Sequence, residues 1–236
     1  MRMVLLDLEN VDSFYGDSQV LFNVSMKVNE QEVVALLGRN GVGKTTTLKV
    51  IMGLNPAKRG KITFKGMDIT YMRPDQISRL GVGYVPEDRR LFPDLTVAEN
   101  LRVAEIGAQH PEGMKEVLEI FPLLRRYLGT KARNLSGGEQ KMLSMARGMI
   151  GHKDLLMLDE PTEGLAPAIV ASIREVLLRI KELKHGVLLV ESANTPLALE
   201  ICDRAYIMVH GSIVFEGDPW QVSEDKDIQK YLTVAR

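Results

Sequence analysis

The chain has one cysteine, Cys202, and one tryptophan, and its aromatics amount to 6%. A lone cysteine cannot close an internal disulfide, which excludes the disulfide-stapled secreted class and fits a reducing compartment. Cys202 follows an apolar, helix-like stretch (Leu197, Leu199, Ile201), so it reads as a small core residue rather than a reactive thiol. Net charge is also nearly absent: 30 Lys+Arg against 31 Asp+Glu leaves −1. General nucleic-acid binding needs a concentrated basic face, and this balance argues against it. Long apolar runs are missing; the longest are about five residues, against ~20 for a membrane-spanning helix. No export leader precedes the first acidic residues, so a soluble intracellular chain is expected. The four histidines (His110, His152, His185, His210) lack metal-ligand spacing and read as surface or packing residues.

What is present is an ordinary globular composition, 45% hydrophobic and 26% charged over 236 residues. A globular chain of this length buries roughly 70–75% of its unfolded surface. Three short apolar runs, Val33–Leu37, Leu155–Leu158 and Val187–Val190, read as strands buried on both faces of a parallel sheet. Between the last two, Ile169, Ile173, Val176, Leu177, Ile180 and Leu183 line one face of an amphipathic helix. Strand, helix, strand makes a right-handed βαβ unit. Met3–Val11 and Val20–Val28 alternate around a Gly16-Asp17-Ser18 turn, as antiparallel strands do. Lys61–Phe64 and Ile213–Glu216 read as further short strands. The middle is helical, with breaks at Pro111, Pro122 and Gly129. The expected fold class is therefore α/β: one domain, with an α/β core and N-terminal β layer over 1–86 and 151–236, and a mostly helical segment at about 87–150.

Gly38-Arg39-Asn40-Gly41-Val42-Gly43-Lys44-Thr45 fits G-x-x-x-x-G-K-[ST], after a buried-strand candidate and before a helical stretch from Thr46 to Met52. Glycines let backbone N–H groups curl around phosphate oxygens, and a helix N-terminus faces the same anion. Lys44 adds a point charge for the β/γ-phosphates, and Thr45 offers a hydroxyl to Mg²⁺. The bland alternative is a glycine-rich turn with an incidental lysine; both flanks speak against it. Asp159-Glu160 ends the second buried run, where ligands of open α/β sheets collect. Asp159 can hold Mg²⁺, and Glu160 can orient and polarise an attacking water.

Leu135-Ser136-Gly137-Gly138-Glu139-Gln140 opens another helical stretch, with Met142, Met145 and Met149 along one core-like face. Ser136 and Glu139 fit a capping box. Glycines are poor helix formers, so Gly137 and Gly138 suggest close approach by something else, a second anion site.

Leu-Ser-Gly-Gly-Glu-Gln between the two nucleotide motifs resembles the signature of ATP-binding-cassette (ABC) ATPases, and the resemblance covers essentially the whole chain. It implies the ABC ATPase fold, a RecA-like P-loop NTPase core, with ATP and Mg²⁺ as cofactors. It further implies a head-to-tail dimer in which Ser136, Gly137, Gly138 and Glu139 face ATP held by a second ATP-binding subunit, closure driven by ATP, and reopening on hydrolysis. By the same resemblance Gly38 to Thr46 hold the nucleotide, Tyr15 stacks on adenine, and Glu163 to Pro167 meet the partner. Without the family, Tyr15 is simply a strand aromatic. Glu87 stands where the family usually has a Gln that contacts Mg²⁺ or water and senses the permease. Ser192, after Val190-Glu191, stands where a His usually contacts the γ-phosphate; serine's contact is expected to be weaker or water-mediated.

The stretch from Tyr84 to Leu101, with Thr162 to Pro167, resembles the second ATPase subunit of branched-chain amino acid importers. That implies transmembrane permease partners, peripheral attachment to the inner membrane face through them, no direct cargo contact and no nucleic acid. Rival readings are a urea or amide importer, a lipid or polysaccharide exporter, a weakly hydrolysing regulatory subunit, and a non-transport ABC protein; the last usually carries tandem cassettes or coiled-coil inserts, which this chain lacks.

Overall fold

The computed structural model describes residues 3–106, 113–151 and 153–233; Pro111, His110 and His152 lie outside them. β1 (Val4–Tyr15) and β2 (Ser18–Asn29) form an antiparallel hairpin, and β3 (Val33–Leu37) runs through the glycine-rich loop into α1 (Lys44–Ile51). Next come β4 (Ala57–Phe64), β5 (Met67–Asp68), α2 (Pro74–Arg79) and β6 (Val82–Val85). A stretch rich in helix follows: α3 (Val97–Glu105), α4 (Gly113–Ile120), 3-10 turns at Pro122–Tyr127 and Ala132–Asn134, and α5 (Gly137–Met149). The chain returns through β7 (Leu155–Asp159), α6 (Pro167–Glu182), β8 (Gly186–Glu191), α7 (Thr195–Ile201), β9 (Arg204–Val209) and β10 (Ser212–Gly217), and ends in α8 (Pro219–Glu224) and α9 (Lys226–Thr233).

Two sheets result. The antiparallel sheet has order β2-β1-β4-β5, and the larger has order β10-β9-β3-β8-β7-β6, parallel except for β10 against β9. Every residue of β3, β7 and β8 is buried, as their unbroken apolar runs require. Along β2, by contrast, buried Val24, Met26 and Val28 alternate with exposed Ser25 and Lys27, because only one face of that sheet packs. Val34 and Leu36 join Leu6, Leu8, Leu48 and Ile51 in a core between the two sheets, with α1 inside it. Val33, Ala35 and Leu37 face the other way, onto Met142 and Met145 of α5 and Ile173, Val176 and Ile180 of α6. The methionine stripe of α5 is thus core. Cys202 is buried as well, and burial pushes its thiol up to about 12.

Packing on both faces fixes the carboxyl end of β3, where the glycine-rich loop begins, and the neighbouring end of β7. The sequence reading missed β6 and β9. β6 is four residues long and carries Gly83, whose added Cβ would lie 2.5 Å from the Gly148 carbonyl. β9 opens on Arg204, which hides its strand character behind a charge. α1 also begins two residues earlier than expected, so Lys44 and Thr45 lie in its first turn.

Candidate nucleotide site

Gly43 caps α1 with φ +116, a conformation that side-chain-bearing residues rarely adopt, and an added Cβ would sit 2.9 Å from Leu21. The loop therefore turns back over the helix N-terminus and leaves a cavity of about 290 Å³ there. Asn40, Gly41, Gly43, Lys44, Thr45 and Thr46 line it, together with Val20, Glu87, Glu160 and Glu163. Of the remaining loop residues, Gly38 packs against β9, its missing Cβ leaving room for the Met208 carbonyl. Arg39 is exposed, and Val42 accepts a backbone hydrogen bond from Gly211.

Asp159, at the end of β7, stands beside this cavity through its bond to Thr45. Thr45 Oγ1 donates to Asp159 Oδ1 (3.0 Å), and the Tyr84 hydroxyl donates to Asp159 Oδ2 (3.1 Å). Asp159 is buried, and burial raises its pKa, opposed by these two hydrogen bonds and reinforced by the Glu160 and Glu87 charges. Burial, with Asp159 alongside, holds the Tyr84 phenol well above its usual range, so it remains a donor. Glu160 has φ +45, a backbone region uncommon for a non-glycine residue. Its Oε1 lies 3.2 Å from Lys44 Nζ, and its Oε2 accepts from Ser192 Oγ (2.6 Å). Lys44 also donates to the Gly38 and Arg39 carbonyls, each at 3.0 Å.

Ser192 Oγ is bonded to the Glu160 carboxylate and does not line the cavity, which leaves its γ-phosphate contact as an expectation. Glu191 is buried beside it. Its Oε1 accepts from Thr162 Oγ1 (2.6 Å), its Oε2 has no partner, and burial raises its pKa. Glu163 is likewise pushed up, by burial first and then by the Glu160 and Glu87 carboxylates. Glu87 lines the cavity, and its carbonyl accepts from Lys141 Nζ (3.2 Å). Tyr15, exposed at the end of β1, does not line the cavity, which leaves its adenine contact as an expectation.

The segment Leu135–Gln140 stands apart from that cavity. Ser136 caps α5 in the predicted capping box: its N–H donates to Glu139 Oε2 (2.7 Å) and its Oγ accepts from Glu139 N–H (3.4 Å). Gly138 has a reason internal to the chain, since an added Cβ would lie 2.4 Å from Ile169 of α6. Gly137 is half-buried beside the Arg89 guanidinium, and Ser136 is exposed.

Comparison with known proteins decides the family. Residues 21–163 match the ABC transporter family. The chain is 36% identical to a probable branched-chain amino acid transport ATP-binding protein (LivF) of Archaeoglobus fulgidus, covering 96% of this chain and 97% of that one. It belongs to the ABC transporter family. It is also 38% identical to the branched-chain amino acid transport protein BraG of Pseudomonas aeruginosa, over 89% and 91% of the two chains. A lipopolysaccharide export ATP-binding protein (LptB) of Haemophilus influenzae is 36% identical, over 97% and 96%. A solved nucleotide-free ABC cassette superposes with TM-score 0.87 at 26% identity, covering 99% of this chain and 100% of that one. Another cassette, solved in its ADP conformation, gives 0.83 at 27%, over 97% and 98%. This ABC protein is an ATP-binding, ATP-hydrolysing transporter subunit, and the α/β architecture read from its sequence is the ABC ATPase fold. Among its described residues, no helix is long and apolar enough to cross a membrane.

Sequence reasoning missed Tyr84 as the second partner of Asp159, and Lys141 beneath Glu87. A lysine on the helix that carries the signature, among apolar positions, was the available signal for Lys141.

Proposed function

We propose that this chain hydrolyses Mg²⁺-ATP in a site that only a second ATP-binding subunit completes. The observation that carries the reading is a separation: Lys44, Thr45 and Glu160 line the phosphate cavity and Asp159 is hydrogen-bonded to Thr45 beside it, while Ser136 and its helix N-terminus lie outside it. Backbone N–H groups of the glycine loop and the α1 N-terminus bind phosphate oxygens, and Lys44 supplies the cation. The Thr45 hydroxyl and the Asp159 carboxylate, 3.0 Å apart and both oxygen donors, suit a hard cation, with Glu87 at the cavity wall as a further oxygen. Bound there, Mg²⁺ neutralises charge on the transferring phosphoryl group. Glu160, aimed by Ser192 and Lys44, orients the attacking water. Ser136 to Glu139 approach the γ-phosphate of the partner's ATP, and the segment 87–150 acts as a helical subdomain carrying them. The Glu87 loop meets a transmembrane permease, which holds the chain at the inner membrane face.

The relatives named for branched-chain amino acid transport support an amino-acid importer as the working context. The similarity to a lipopolysaccharide export protein supports a second reading, an envelope-lipid exporter. Identifying the permease that co-purifies with the chain separates the two. For hydrolysis itself, Glu160→Gln retains ATP binding and loses turnover in the assembled complex. Turnover at the wild-type rate removes Glu160 from the chemistry.

A further inference from the structure

The loop that follows β6 contains two consecutive non-glycine residues with left-handed backbones, Arg89 (φ +56) and Arg90 (φ +45). Nothing in its sequence makes that conformation cheap. What holds it is one face of α5. Lys141 Nζ donates to the Glu87 carbonyl (3.2 Å), Ser144 Oγ to the Arg89 carbonyl (2.7 Å), and Arg147 Nη1 to the Arg90 carbonyl (2.6 Å). Arg89 reaches back from the loop and donates to Gln140 Oε1 (2.8 Å). The Arg147 guanidinium also covers the Phe92 ring, 4.9 Å from its centroid. Positions 141, 144 and 147 recur every three residues and so share a helix face.

Lys141 makes one contact more. Its buried ammonium also donates to the Asp159 carbonyl (3.3 Å) at the end of β7. One cation therefore joins α5, the Glu87 loop and the strand end that bears the Asp159-Glu160 pair. A lysine buried to this degree costs desolvation, which lowers its pKa, and an apolar residue would serve packing better.

We propose that Lys141, Ser144 and Arg147 are positioning residues that strap the Glu87–Arg90 loop to α5, so that loop and signature motif move as one body, and that Lys141 fastens this body to the Asp159 end of β7. α5 thereby sets where Glu87 and Asp159 stand. The inference rests on the reading of Glu87 and Asp159 as groups of the Mg²⁺ side.

The test uses the full chain. In nucleotide-free protein, amide exchange over residues 87–91 should quicken at least about tenfold in Ser144→Ala and in Lys141→Met, while the α1 amides stay protected. Lys141 does not line the phosphate cavity, so ATP affinity of Lys141→Met should stay within about twofold while kcat falls about ten- to hundredfold. Lys141→Arg, which keeps a cationic donor, should recover most of kcat. Ser144→Ala removes a single hydroxyl and remains decisive should Lys141→Met fold poorly. Unchanged exchange over 87–91 in both variants overturns the strap, as does a kcat that falls only in step with ATP affinity and thermal stability. Asp159→Asn serves as a separate control: full Mg²⁺-ATP turnover there would refute the reading of the metal side, while the exchange result still decides the strap.

Discussion

Replacing Ser192 with alanine isolates what the hydroxyl does for Glu160. The Oγ–Oε2 distance is 2.6 Å, in the range of a charge-assisted bond. A hydrogen bond to an ionised partner contributes about 1.5–3 kcal/mol. Were all of it spent on aiming the carboxylate, turnover would fall about ten- to 150-fold. Two restraints survive the substitution. Lys44 still holds Oε1 at 3.2 Å, and the Glu160 backbone N–H still donates to the Val190 carbonyl at 3.0 Å. The carboxylate thus loses one of its two partners while its backbone stays fixed, and the lower part of the range applies, about ten- to thirtyfold in kcat. Ser192 does not line the cavity, so KM for ATP should hold within about twofold. Ser192→Thr keeps the hydroxyl and should stay near wild type. The assay is steady-state hydrolysis by the assembled complex with the partner's own site disabled, titrated in ATP. Wild-type kcat in Ser192→Ala, or a loss confined to KM, would refute the claim that this hydroxyl orients the water-activating group.

Lys44→Ala should lower ATP affinity at least about tenfold by calorimetry, since charge-assisted bonds to phosphate are lost. The same change strands Glu160, because the Lys44–Glu160 pair is buried on both sides; breaking such a pair costs about 3–5 kcal/mol, and Tm should drop by at least ~6 °C. Unchanged Tm would mean that the pair contributes nothing to the fold. Glu191→Gln should raise Tm at neutral pH by a few degrees. Burial holds the Glu191 pKa above its usual 4.5, so its ionised form opposes folding above the raised value. That opposition fades as pH falls toward 4.5, and the advantage of glutamine should fade with it; a pH-independent advantage contradicts the assignment.

The phosphate loop was legible because its requirement is local: the backbone at Gly43 must take a positive φ beside Leu21, and few other residues fit. Asp159-Glu160 was legible because a run of buried residues ended in two acids. The capping box at Ser136 was legible from four residues of sequence. The bonds that finish the site were hidden because they join distant segments. Tyr84, Asp159 and Ser192 lie on or just after β6, β7 and β8, and their meeting depends on those strands being neighbours. An order of strands cannot be read from three apolar runs, and β6 itself went unseen. Lys141 was hidden for a similar reason: its partners are backbone carbonyls 54 and 18 residues away. At Gly138 the sequence pointed to a bare backbone but not to the cause, since Ile169 of α6 already fills the space where a side chain would go.

On the proposed reading, the signature serves an ATP other than the one this chain binds. ATP affinity of Ser136→Arg, measured beside that of Lys44→Ala, tests it most directly. Ser136 is exposed and lies outside the phosphate cavity, so Ser136→Arg should bind ATP within about twofold of wild type while the assembled complex loses turnover. A loss of affinity as large as that of Lys44→Ala would put Ser136 in its own chain's site and contradict the account.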